Sequence, residues 1–187
     1  GEIGGGNKLA NININSGRFT AKGATNSTNI TVENAAIFDA SNEVNADDII
    51  IKADATFNAS GEVNSQNINI GAGTINFTNG KVTSDINFTG AGSIDLGANE
   101  LEGNIDFANI AGSLTLRGSK ITGNVLSTGG SNGTIDIQTG GGEIQGLVGD
   151  GLNKISVKFA VNDKLSISGD NISAVISTFS GANGVLR

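Results

Sequence analysis

Asp47 and Asp48 form the only adjacent carboxylate pair in the chain. Paired carboxylates are what acid–base cleavage of a glycosidic bond requires, held roughly 5–10 Å apart in a cleft with aromatic walls. Here Trp and Tyr are absent, the eight Phe are the only aromatics, and Asp48 also belongs to a column of turn residues described below. The chain contains neither Cys nor His, which excludes thiolate and imidazole metal sites and the Ser–His and Cys–His nucleophile pairs. The runs Gly4–Gly6 and Gly140–Gly142 do not follow a strand and open a helix, as a phosphate-cradling loop would, and read as turns. No catalytic residue, cofactor-binding residue or metal ligand is assigned, no cofactor is expected, and an enzyme is not expected. Charged residues do recur at a fixed spacing: Glu43, Glu62, Lys81, Glu100, Lys120 and Glu143. Their signs alternate from Glu62 onward, which cancels any long-range field and points to charge pairing between successive repeats.

Composition narrows the partners. The net charge of −7 argues against nucleic acid and anionic membranes, both of which call for a basic surface. No apolar run approaches the roughly 20 residues of a membrane-spanning helix, so this segment is not expected to insert into a bilayer. The start, Gly1 to Lys8, is polar and glycine-rich, unlike a signal peptide, and the chain holds no Met. It therefore reads as a piece of a longer polypeptide. Seven Asn-x-Ser/Thr triplets begin at Asn26, Asn29, Asn58, Asn76, Asn87, Asn132 and Asn171. Chance accounts for them in a chain this rich in Asn and Thr, and a bacterial source would leave them unmodified.

What must position any of these residues is a repeat. Apolar residues come in i, i+2 pairs bounded by Gly, Asn, Asp, Ser and Thr, the periodicity of a strand with one face buried. Three columns recur every 18 to 23 residues. The first is Ile14, Val32, Ile51, Ile70, Phe88, Phe107, Ser127, Val148 and Ile167. The second is Phe19, Phe38, Phe57, Phe77, Leu96, Leu116, Ile137 and Val157. The third is Val44, Val63, Val82, Leu101, Ile121 and Ile144. The phase of the Phe19–Phe38–Phe57–Phe77 ladder places it in the core.

Flanked middle residues point outward and are nearly all polar, as Asn13, Thr31, Asn69, Asn87 and Asp106 on the first strand. Asn11, Asn29, Asp48, Asn67, Asp85, Asn104 and Asn124 precede that strand and are read as a corner, where Asn and Asp tolerate left-handed angles and can pair along a stack. Gly73, Gly92, Gly112 and Gly133 mark a second corner, read as a place for positive φ. Asn42, Gly61, Gly80, Asn99, Ser119 and Gly142 mark a third.

Three strands and three corners per period describe a right-handed parallel β-helix of about nine coils, each of 19–20 residues. Residues 1–187 form one such segment. The pattern loosens toward the end: a bulge is expected near 139–143 and a less regular last coil over 168–187. Two outward positions are apolar, Ile50 and Leu126, and are the candidate partner contacts.

The segments Gly103-Asn104-Ile105-Asp106-Phe107, Gly112-Ser113-Leu114-Thr115-Leu116, Ile121-Thr122-Gly123-Asn124-Val125-Leu126-Ser127-Thr128-Gly129-Gly130 and Asn132-Gly133-Thr134-Ile135-Asp136-Ile137 resemble the passenger repeats of rickettsial outer-membrane autotransporters, the surface cell antigen group that includes outer membrane proteins A and B. The resemblance is strongest over about residues 65–140. The first 60 residues also resemble haemagglutinin-type two-partner adhesins. The resemblance implies a passenger displayed outside the bacterial cell and held at the outer membrane by a C-terminal barrel. It further implies attachment to a host cell-surface protein, invasion, or coat formation with neighbouring copies, and offers no catalytic motif. The rival expectations are a polysaccharide lyase or hydrolase built on the same scaffold and an ice-binding rod. The latter requires Thr-x-Thr on each coil, whereas these outer columns mix Asn, Thr and Asp.

Overall fold

A computed structural model describes residues 1–160, 163–170, 172–179 and 185–186. Among these residues there is no helix, every strand pairs in parallel with its neighbours, and the coils stack as a β-solenoid of about nine turns. The strands fall into a 13-stranded and a 9-stranded sheet. The third and first predicted sides are thus one sheet laid end to end, and the second side is the other.

The Asn/Asp column is correspondingly less of a corner than its composition suggests. The strands Thr25–Val32, Val63–Ile70 and Val82–Phe88 run straight through Asn29, Asn67 and Asp85. In Val82–Phe88 the alternation is unbroken, with Val82, Ser84, Ile86 and Phe88 all facing inward. Val63–Ile70 has one residue more between its inward Val63 and Ile68, and the register shifts there between Thr83 and Asp85 to absorb it. Elsewhere the side does break, for example between Glu100–Glu102 and Ile105–Asp106, where Gly103 takes a φ of 143°.

Coil-to-coil register tests the columns directly. The third holds throughout: Val44 pairs with Val63, Val63 with Val82, Val82 with Leu101, Leu101 with Ile121 and Ile121 with Ile144. The second is two columns. Phe19, Phe38 and Phe57 stack, but Phe57 then pairs with Ile75, while Phe77 pairs with Ala59. Ala21, Ala40 and Ala59 therefore occupy the inward position beside the first three Phe, and from Phe77 onward that position is large as well, beside Ile75, Ile94 and Leu114. The rings record the change. Phe38 and Phe57 are stacked at 5.4 Å and 19°, whereas Phe57 and Phe77 meet edge-on at 6.4 Å and 83°. Phe19 stacks on Phe38 at 5.8 Å but is 39% exposed, because Arg18–Ala21 is the end strand of its sheet.

The first column holds as far as Ser127, which follows Phe107 in register, and needs correction beyond it. Val148 bridges Val125 and not Ser127, and Ile167 pairs with Ile144 in the third column. Likewise Val157 pairs with Ile135 and Phe159 with Ile137. The cause is a longer coil. Leu147 N–H reaches back 23 residues to Asn124 Oδ1, where the earlier coils repeat at 18 or 19. Part of the increase lies at the expected bulge, a turn in which Gly140 and Gly141 have φ of 104° and 71°. Of residues 168–187, positions 171, 180–184 and 187 lie outside the described residues. Ala174–Phe179 pairs in parallel with Ile155–Phe159, with a register shift between Val157 and Lys158.

The second-corner glycines answer to space and not to φ, since none of the four has a positive φ. They continue the inward positions of Ala36 and Ala55, both buried. A Cβ on Gly112 would stand 2.5 Å from Phe88 Cδ1, and one on Gly133 would stand 2.2 Å from Phe107 Cδ2. Those two rings stack at 4.7 Å and 24°, filling the shaft at that level. Among the described non-glycine residues, left-handed backbone falls on Ala35, Asp54, Ala108 and Asn109, in the turn after the first strand.

Candidate functional site

Asp47 and Asp48 are each engaged separately. Asp47 forms an ion pair with Lys8, the residue just before the strand Leu9–Ile14, two coils below. Asp48 begins the strand Asp48–Ile51, and its Oδ1 accepts a hydrogen bond from Asn67 Nδ2 at 3.0 Å. Among the described residues no group of three or more acidic side chains is placed to hold a metal ion.

The outer faces carry ladders of side-chain amides and carboxylates. In the Asn/Asp column Asn29 Nδ2 donates to Asn11 Oδ1 at 2.9 Å and Asn104 Nδ2 to Asp85 Oδ1 at 3.0 Å. Two further ladders were not anticipated from the sequence. Asn64 Nδ2 donates to Asn45 Oδ1 at 3.2 Å and Asn45 Nδ2 to Asn26 Oδ1 at 3.0 Å. On the smaller sheet, Asn76 Nδ2 donates to Asn58 Oδ1 at 2.8 Å and Asn58 Nδ2 to Asp39 Oδ1 at 2.7 Å. A side chain stacked on its equivalent one coil away finds a partner at the strand spacing of about 4.8 Å, so identical polar residues satisfy one another along the axis. The signal for these ladders was present as Asn recurring at one period outside the corner.

Two carboxylates on these faces titrate low. The Arg18 guanidinium, 2.5 Å from Asp39 Oδ2, holds the Asp39 carboxyl below the usual carboxylate range, with the Asn58 amide assisting against partial burial. Burial alone would raise Asp106. The Thr128 hydroxyl and the N–H groups of Thr128 and Ala108 all donate to its carboxylate and leave its pKa lowered.

The charged column pairs across coils, with one adjustment. Lys120 lies 3.5 Å from Glu100, its stacking neighbour, but Lys81 takes Glu102 at 2.5 Å, two residues beyond Glu100. Glu102 holds the Lys81 ammonium above its ordinary pKa. All four side chains are exposed, so salt screens these pairs. Beside them a hollow of about 290 Å³ gathers Lys120, Glu143, Asp163 and Lys164. Asp163 there accepts the Gly140 N–H at 2.8 Å. Another, of about 470 Å³, runs from Asn58 and Asn76 past Phe77 to Arg117, whose Nε donates to Asp95 at 2.9 Å.

Ile50 and Leu126 both lie on the outer face of the larger sheet, half-buried. Ile50 sits between Thr31 and Asn69, and Leu126 stacks on Asp106. They stand in the same column with Asn69, Asn87 and Asp106 between them, so the fold aligns them without bringing them together. Sequence reasoning missed Leu152, which is 91% exposed. No protein-family model, no curated protein and no solved structure matches the chain.

Proposed function

We propose that this chain is a display rod, an adhesin-type segment of a bacterial autotransporter passenger that stands outside the cell and presents its faces and turns to a host cell-surface protein or to neighbouring copies. The observation that carries this reading is the outer surface, where amides and carboxylates are paired from coil to coil in several parallel ladders. Such a surface is rigid and regular. Its polar groups are spent on one another more than on a reactive centre. The repeat style of residues 65–140, similar to that of autotransporter passengers, supports the same reading.

The test is binding of the purified chain to host cells. Saturable binding, competed by unlabelled chain and reduced by protease treatment of the cells, is the expected result; its absence on every cell type tried would overturn the proposal. Incubation with acidic glycans tests the enzymatic alternative. Turnover that disappears in Asp47→Asn or Asp48→Asn would replace display by glycan cleavage.

A further inference from the structure

Asn is followed by Gly at Asn79–Gly80, Asn132–Gly133 and Asn183–Gly184, the last of which lies outside the described residues. The pair has a chemistry of its own. The glycine nitrogen can attack the asparagine side-chain carbonyl, and no Cβ on the glycine crowds the five-membered ring that forms. The fold treats the two described pairs in opposite ways.

Asn79 is the surplus residue of its corner. Phe77 pairs with Ala59 and Val82 with Val63, so residues 78–81 must pass over residues 60–62, one fewer. Thr78 sits on Ser60: its hydroxyl donates to Ser60 Oγ at 3.1 Å and its N–H to Ala59 O at 2.9 Å. Gly80 sits on Gly61, since a Cβ there would stand 2.6 Å from the Gly61 carbonyl carbon. Asn79 is left between them with no counterpart in the coil below, and it is exposed. Among the described residues neither its side-chain amide nor the Gly80 N–H has a hydrogen-bond partner. Gly80 takes a φ of 95°, which favours glycine at that position. The turn thus calls for the same residue type that lets the ring close.

Asn132 is tethered. Its Nδ2 donates to Asn109 Oδ1 at 2.6 Å and to Asn109 O at 3.2 Å, while Gly133 is buried against the Phe107 ring. Both hydrogen bonds must break, and a packed corner must move, before its ring can form.

We propose that Asn79 is a site of spontaneous deamidation, with the Gly80 nitrogen as nucleophile and water as the co-reactant. The Gly80 nitrogen gives its proton to solvent as it bonds to Asn79 Cγ. The Cγ–Nδ2 bond breaks and ammonia leaves, closing a succinimide. Water then adds to one of the two ring carbonyls, the Gly80 nitrogen recovers a proton, and the new carboxyl ionises. Opening at Cγ restores the ordinary backbone with an aspartate side chain. Opening at the main-chain carbonyl leaves an iso-aspartyl link whose backbone runs through Cβ and Cγ. Either product adds one negative charge to a chain already at −7, two residues from Lys81 of the charged column. The longer iso-aspartyl backbone displaces nothing stacked beneath it, because position 79 has no partner in the coil below. This chemistry goes beyond the display reading and does not depend on it. Aged and fresh rods come to differ in charge at one corner.

The test is ageing of the folded chain at mildly alkaline pH, followed by tryptic mapping and mass spectrometry. Cleavage after Lys52, Lys81, Lys120 and Lys154 puts Asn79 and Asn132 in separate peptides, and fragment spectra assign each asparagine. Asn79 is expected to convert at least about tenfold faster than Asn132 in the folded chain. It should give two products of equal mass that separate by chromatography, and its lead should vanish when the chain is unfolded in guanidinium chloride. Asn109→Gly removes the Oδ1 tether and suits the φ of 64° there, so it should speed Asn132 several-fold and leave Asn79 unchanged. Three results would each overturn the proposal: equal rates at the two sites in the folded chain, a single hydrolysis product at Asn79, or an undiminished lead in the unfolded chain.

Discussion

Adding one methyl group at Gly133 should destabilise the rod, although glycine is usually exchanged for alanine without harm in extended backbone. The φ of Gly133 is not positive, so backbone conformation raises no objection. Alanine would even restrict the unfolded chain and contribute about 0.4–1 kcal/mol in its favour. The objection is space. The new Cβ would lie 2.2 Å from Phe107 Cδ2, 2.4 Å from Cγ and 2.8 Å from Cε2. Phe107 is fully buried and cannot retreat, because Phe88 is stacked against it at 4.7 Å. Overpacking of this kind costs about 1–3 kcal/mol. The net loss is then about 0–2.6 kcal/mol, centred near 1.3, or a fall in Tm of about 3–5 °C for a chain of this size. Thermal and urea unfolding followed by circular dichroism measure it. Gly6→Ala is the control, since a Cβ there meets nothing within 4 Å. Adding Phe107→Leu to Gly133→Ala should cost less than the sum of the two single changes, because the shorter side chain vacates the contested space. A Gly133→Ala variant as stable as Gly6→Ala would refute the argument that this column exists to make room for the rings.

Three further outcomes follow from the same structure. Thr25 occupies the third column one coil below Val44, fully buried, with no partner for its Oγ1; Thr25→Val should stabilise the chain by about 1–2 kcal/mol in urea unfolding. Asn67→Ala should cost about 1 kcal/mol more than Asn87→Ala, because Asn67 donates to Asp48; equal losses would show that the ladder contributes nothing. Asp106 has a lowered pKa in the fold, so its contribution is present above the unfolded value of about 3.9 and lost as pH falls below it. Asp106→Asn should therefore be less stable than the parent at neutral pH and lose less between pH 5 and 2, as pH-dependent urea melts would record.

The sequence carried the winding because a stacked coil repeats its own neighbours: Val44, Val63, Val82, Leu101, Ile121 and Ile144 each sit on the last, so spacing alone reveals the column. It was less informative wherever a small residue stood for a large one. Ala21, Ala40 and Ala59 are inward partners too modest to register beside Phe, so Phe77 was drawn into line with Phe57 when it stacks on Ala59. Likewise the longer coils after Ile121 displaced Val148 and Ile167 from their true columns, because a fixed period was followed past an insertion. The second-corner glycines were found, but their reason was not, since a clash with a ring one coil away is a matter of three-dimensional packing. Left-handed Ala35, Asp54 and Ala108 left no mark, their residue types being ordinary for any turn. Of the outward features, Ile50 and Leu126 were visible as breaks in a polar column, whereas Leu152 lay in a turn, where no column rule applies.

The change of one inner column from Ala59 to Phe77, beside a column that stays large from Phe57 to Ile75, divides the shaft into two zones with different tolerance for length change. Within the Phe-over-Phe, Ala-over-Ala zone, a duplicated or excised storey meets the same surface above and below, so the rod could be lengthened or shortened there with its interior unaltered. A storey of the later kind set among these instead places a second large inward residue where Ala stood and overfills that space. Variation in rod length is therefore cheap among the Phe–Ala storeys and costly where the two kinds are interleaved.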